Sequence, residues 1–342
     1  MLIVANIQSA PLPLDSLRIL SHALPSPSAT GHMFSHVINS IQGPAPASPT
    51  SPMTWINVFH AVPGRFNLAD LPTSPPSTPG PAVAGEDYFT QKVFDSAVSI
   101  TDYQGDTSAL PRSPRPIVPP SSIDVSIVER YIPPSSSNEF AQMFDSNGPS
   151  ILGDRLVELS PNNGSLLFIY PTQKGAQTFM REYLGPILDP ALRSMGVMYG
   201  MGSELSISVG SMAAVDQLPD HESLQHRIGM LCARLTQRAS AAHRARGHLP
   251  NFSISYASKQ YVHLSRDTWA RDWWTKQEKQ RIREAVTRHA QRNMHSTGLD
   301  RQPTATELVQ QLLNDVCRKP YPSAQEPASG IEVSVFVIRR SA

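Results

Sequence analysis

The stretch Gly164-Ser165-Leu166-Leu167-Phe168-Ile169-Tyr170 has almost no polar face. A strand with one side in water alternates apolar and polar residues, whereas a run that is apolar throughout must be covered on both sides. That requirement predicts a central strand of a parallel sheet sandwiched between helices. Upstream, "IDVSIVERYI" (123–132) has the β-branched density of a second buried strand. Between the two, "SSNEFAQMFDSNGPSILGDRLVELS" (136–160) reads as helix, interrupted near "SNGP". Downstream, "GAQTFMREYLGPILDPALRSM" (175–195) reads as a helix broken at Gly185-Pro186, "ELSISVGS" (204–211) as a short strand and residues 221–246 as a long amphipathic helix. A strand over 252–265, helices over 267–292 and 304–317 and a closing strand over 330–340 complete the pattern. Strands alternating with helices predict an α/β, Rossmann-like fold, its largely parallel sheet flanked by helices.

The first third is less regular. The chain holds 32 prolines against 19 glycines, and three stretches, 43–52, 71–85 and 110–122, are too proline-rich for helix or sheet hydrogen bonding. They read as surface loops inserted between core elements. "LIVANI" (2–7) reads as a short strand and "MTWINVFHAV" (53–62) as another. In "LPLDSLRILSHAL" (12–24) the spacing of Leu14, Leu17, Ile19, Leu20 and Leu24 approximates a helix. The resulting organisation is a core over 1–211, a mainly helical basic insertion over 212–330 and a last core strand over 331–342.

These residues carry a resemblance. "GDTSALP" (105–111), "IDVSIVE" (123–129), a helix, "LVELSPNNGSLLFIYPT" (156–172), another helix and a C-terminal strand resemble, in order and spacing, the middle and end of class I S-adenosylmethionine-dependent methyltransferases. The resemblance covers roughly residues 95–200 and 331–340. It implies S-adenosylmethionine as cofactor and an adenine-holding acid at Asp106, beside Thr107. For the ribose hydroxyls Asp102 is the neighbouring option, with Asp95 further upstream. Glu129 and Tyr131, at the end of the next strand, would face the reacting methyl group, as base or acceptor-orienting groups. The residues themselves leave plainer roles open: Asp106 before Thr107 and Ser108 suits a turn or helix cap, and Glu129-Arg130 suits a strand-end ion pair. The family's glycine-rich loop after its first strand is not found. The turn at Gln8-Ser9-Ala10-Pro11-Leu12-Pro13 has no glycine, and its two prolines lack amide donors.

Charge is unevenly spread. Residues 227–301 carry 15 Lys+Arg and 5 Asp+Glu, although the whole chain is only +1. Within them Trp269, Trp273 and Trp274 interleave with arginines and lysines, a pattern that suits RNA or another acidic partner, and equally suits core anchors on an amphipathic helix. The histidines show no HExxH spacing, and neither GxSxG nor GxxxxGK[ST] occurs, so no metal site is expected and hydrolase and P-loop chemistry are set aside. Two cysteines, Cys232 and Cys317, suit a reducing compartment, cytoplasmic or nuclear, and the apolar run at the N-terminus is too short for an expected signal peptide or membrane span. Two functions stay open. One is a methyltransferase with an unknown small-molecule or macromolecular acceptor. The other is a non-catalytic interaction or regulatory protein on the same scaffold, favoured by the missing glycines; an upstream segment carrying DxGxGxG would restore the enzyme.

Overall fold

The structure is a computed structural model that describes residues 16–30, 32–42, 55–63, 66–72, 93–100, 116–144, 150–200, 203–243, 250–293, 303–322 and 326–341. Seven strands form one sheet: β1 (Leu17–Leu24), β2 (Ile56–Pro63), β3 (Val93–Ile100), β4 (Val125–Arg130), β5 (Ser165–Pro171), β6 (Asn251–Val262) and β7 (Ile331–Ser341). Their order is β3-β2-β1-β4-β5-β7-β6. Neighbours from β3 to β5 pair in parallel, and β7 runs antiparallel to both β5 and β6. The first five strands thus keep the doubly wound order in which the chain direction across the sheet reverses between β1 and β4. This is a Rossmann-like α/β fold. Every residue of β4 and of β5 is buried, as the near-continuous apolar run of β5 and the β-branched density of β4 predicted.

Helices connect the strands: α1 (His32–Gln42), α2 (Ser137–Phe144), α3 (Ile151–Glu158), α4 (Gln173–Thr178), α5 (Gly185–Tyr199), α6 (Ser203–Gly210), α7 (His221–His243), α8 (Thr275–Asn293) and α9 (Ala305–Arg318). Ser150 and Thr172 cap α3 and α4 by accepting from Gly153 N and Gly175 N, and Thr304 with Glu307 closes a capping box on α9. Gly175 has a second duty. A Cβ there would stand 1.9 Å from the backbone oxygen of Glu332, so only glycine lets α4 lie this close to β7.

Three local expectations are corrected. Residues 17–24 are β1, the strand beside the switch point, not the end of a helix. A short apolar run satisfies either period, and pairing in parallel with both β2 and β4 decides it. The stretch expected as a strand at 204–211 is helix α6. It buries Leu205 and Val209 four residues apart and leaves Ile207 68% exposed, so the alternation of apolar residues misled. The helix after β5 does not break at Gly185-Pro186. A π-helical turn over Phe179–Leu184 precedes them, and the chain continues into α5. The wider turn stands where proline's missing N–H would interrupt α-helical bonding. The strand expected at 2–7 and the turn at 8–13 lie outside the described residues, as do the proline-rich stretches 43–52 and 71–85, while 110–122 is described from 116 onward.

Candidate functional site

Ligands of open α/β sheets bind outside the carboxyl ends of the strands where the winding reverses, here β1 and β4. Glu129 and Tyr131 stand at that edge. In the register, Ala23 of β1 lies opposite Glu129 of β4. Glu129 is 3% exposed, and one of its carboxylate oxygens accepts from the Met33 backbone N–H at 3.1 Å and the Tyr131 hydroxyl at 2.8 Å. Met33 is the second residue of α1, so this carboxylate sits on the positive end of a helix that starts at the switch point. Burial pushes its pKa up to about 7, against the opposing pull of the Tyr131 hydroxyl and the α1 amides. The expected Glu129–Arg130 ion pair is absent, because the two side chains take different partners. Arg130 donates to the Ile132 and Pro133 carbonyls and pairs closely with Glu139 and with Gln277 of α8.

Around Tyr131 three rings meet. Trp273 lies 5.5 Å away and nearly parallel, at 7°. His32 packs on both, with ring centroids 5.2 Å from Tyr131 and 4.4 Å from Trp273. Its backbone φ is 33°, a region that L residues seldom adopt. Burial lowers the His32 pKa to about 4, partly offset by the nearby Asp272 carboxylate, so the ring is neutral at pH 7. Trp273 belongs to a π-helical segment, Asp267–Trp274, that leads into α8. The same segment reaches the loop between β1 and α1. The Ser28 hydroxyl donates to the Asp272 carboxylate at 2.7 Å, and the Ser26 hydroxyl to the Asp272 carbonyl at 3.3 Å.

The structure therefore brings Glu129 and Tyr131 into direct contact. Asp102, Asp106 and Thr107 lie outside the described residues. Asp95, on β3, pairs with His60 of β2 at 3.1 Å. His32, Ser28, Asp272 and Trp273 escaped sequence reading as one group because 17–24 was taken for helix, which hid "PSPSATGH" (25–32) as the loop leaving the first switch-point strand. The signal was present in Gly31 and its small neighbours. Among the described residues no group of three or more His, Cys, Asp or Glu side chains is placed to hold a metal ion. No helix among them is long and apolar enough to cross a membrane.

No protein-family model matches the chain, and no curated protein matches it. Two solved methyltransferase structures resemble it. Loganic acid methyltransferase with SAH aligns over 100% of this chain and 91% of its own at 14% identity and a TM-score of 0.47. Coclaurine N-methyltransferase bound to N-methylheliamine and SAH aligns over 99% and 72% at 10% identity and a TM-score of 0.27. The strand order, rather than these superpositions, defines the fold.

Proposed function

We propose that the chain is a methyltransferase-fold protein that binds S-adenosylmethionine at the β1–β4 crevice, with Glu129 and Tyr131 in its wall. The observation that carries this reading is the buried Glu129 carboxylate, held by Tyr131 beneath the first turn of α1 at the switch point. S-adenosylmethionine is positively charged at sulfur and at its amino group. A buried carboxylate beside the faces of Tyr131 and Trp273 is a chemically matched surface for such cations. The residues present fit the charged end of the group in this sense. Asp106 and Asp102 are the candidates for its adenine and ribose. When bound, S-adenosylmethionine supplies a methyl group open to in-line attack. The chain's own part is positioning and exclusion of water. Glu129, with a pKa near neutrality, is suited to take a proton from an acceptor hydroxyl or amine, and Tyr131 fixes the carboxylate that would do so.

A second reading rests on a different feature of the same place. The α1 amide that would meet a ligand carboxylate already donates to Glu129, and Pro25 and Pro27 bring no N–H to the preceding loop. A scaffold that no longer turns over methyl groups, working instead through its surfaces, fits those facts. The basic stretch 227–301 is the candidate surface for RNA or an acidic partner. It commits part of its charge internally, since Arg266 donates to the Val316 carbonyl and Arg281 pairs with Glu278.

Calorimetric titration with S-adenosylmethionine and S-adenosylhomocysteine separates the two. The first reading expects binding that Glu129→Gln weakens by about tenfold, the loss of one charge-assisted contact, and that Asp106→Ala also weakens. A folded protein that binds neither ligand leaves the second reading.

A further inference from the structure

We propose that the segment Asp267–Trp274 is a latch that closes the β1–β4 crevice and releases as a unit. The proposal rests on the reading of that crevice as a ligand site. Four observations converge on the segment. Its Asp272 holds the β1–α1 loop through Ser28 and Ser26, contacts that span 244 and 246 residues of chain. Its Trp273 covers Tyr131, the residue that holds Glu129 in place. Its backbone is π-helical, a geometry that is rare and concentrated at functional sites. Finally, the latch closes over polar atoms it does not satisfy. Among the described residues, the buried indole N–H of Trp273 and the buried Nε2 of His32 have no hydrogen-bond partner.

The last point sets the energetics. An unmet buried polar atom is a standing cost. Here two such atoms lie in one ring cluster, and the cluster also holds His32 at a disfavoured φ. Contacts of this kind offset part of the stabilisation that keeps the segment closed. Against them stand the Ser28–Asp272 hydrogen bond, the Trp273–Tyr131 stack and the fully buried rings of Trp269 and Trp274. Release of Asp272 frees the loop 25–30, and withdrawal of Trp273 uncovers Tyr131, Glu129 and the first amides of α1 together. The latch and the far end of the loop therefore open in concert.

Amide hydrogen exchange on the full chain tests this without any ligand. The variants are Ser28→Ala, Asp272→Ala and, as a control for general destabilisation, Ser150→Ala at the α3 cap. Ser28→Ala and Asp272→Ala should each speed exchange about tenfold in 267–274 and in 33–38 together, the effect of losing one hydrogen bond to a charged group. Ser150→Ala should leave that pairing untouched. The latch is refuted if the two segments respond separately, or if Ser150→Ala produces the same pattern. S-adenosylhomocysteine is then added as probe. Protection of both segments, with faster association to Ser28→Ala than to wild type, supports the latch, because it must open to admit the ligand and recloses over it. If the probe binds but leaves 267–274 and 33–38 unprotected, the latch fails and the ligand reading stands. If it binds no form while the variants still release both segments together, the ligand reading fails and the concerted opening stands.

Discussion

Glu129 and His22 set opposite responses to pH within the same sheet. Glu129 has a folded pKa of about 7 against an ordinary 4.5, so the native state holds its proton more tightly than the unfolded chain. Stability from this group is fully present below about pH 4.5 and is lost as pH rises toward 7, by about 3 kcal/mol for a shift of this size. His22 of β1 is 1% exposed, and burial, helped by the Arg155 charge, lowers its pKa from 6.5 to about 3. Its sign is reversed: the native state binds fewer protons, so stability is full above 6.5 and falls as pH drops toward 3. His32 acts in the same direction as His22. Wild type should therefore show a flatter profile than either variant. Glu129→Gln should gain stability from pH 4.5 to 6.5, and His22→Leu should lose it. Urea midpoints at pH 5, 6 and 8 check this, and parallel profiles for all three proteins would contradict the assignment. Glu129 was legible in the sequence as an acid at a strand end. Tyr131 was legible beside it, but its other partner was not, since a backbone amide from a helix 96 residues away leaves no mark on local pattern.

At the scale of elements, what the sequence announced was burial, and what it concealed was period. β5 was plain because its run is apolar throughout, and β4 because of its β-branched density. β1 and α6 were misread because their apolar residues fall at spacings that fit a strand and a helix alike. The junction of β4 with α8 shows what pattern reading misses at an element's end. Arg130 is fully buried, and Glu139, Gln277 and the Pro133 carbonyl surround its guanidinium. Removing one partner of such a pair leaves a charge without its counter-ion in a dry site. Glu139→Ala should cost about 3–5 kcal/mol, whereas Arg181→Ala, in an exposed pair with Glu182, should cost under about 1 kcal/mol. The comparison is made by denaturant unfolding of both variants. A tighter constraint lies at Gly175, where the added methyl of Gly175→Ala meets the Glu332 backbone rather than a movable side chain. That substitution should destabilise by at least about 2 kcal/mol, as overpacking between two fixed backbones does.

For the whole molecule, the alternation of strands and helices predicted the layered sheet, but not where the reversal of winding would fall. That position depends on which strand is first, and the first strand was the one misassigned. The long stretch 212–330, read from sequence as a mainly helical basic insertion before the last strand, meets the sheet at several places. β6 pairs with β7 along its length, from Asn251 opposite Ser341 to Val262 opposite Ile331. Asp272 holds the β1–α1 loop, and Gln277 holds the β4 exit. Trp269, Trp273 and Trp274, among the largest buried side chains, belong to the same hydrophobic core as β4 and β5. A body joined through a strand pair, polar contacts at two places and a shared core has no boundary across which it can unfold first. Scanning calorimetry of the full chain should therefore show one transition, with calorimetric and van't Hoff enthalpies equal. A chain deleted of 212–330 should lack that transition, because β7 loses its outer partner and Arg130 one of its ligands. Two resolved transitions in the full chain, with the deleted form retaining one of them, would show instead that the core stands alone and that the Asp267–Trp274 segment docks onto it as a separate body.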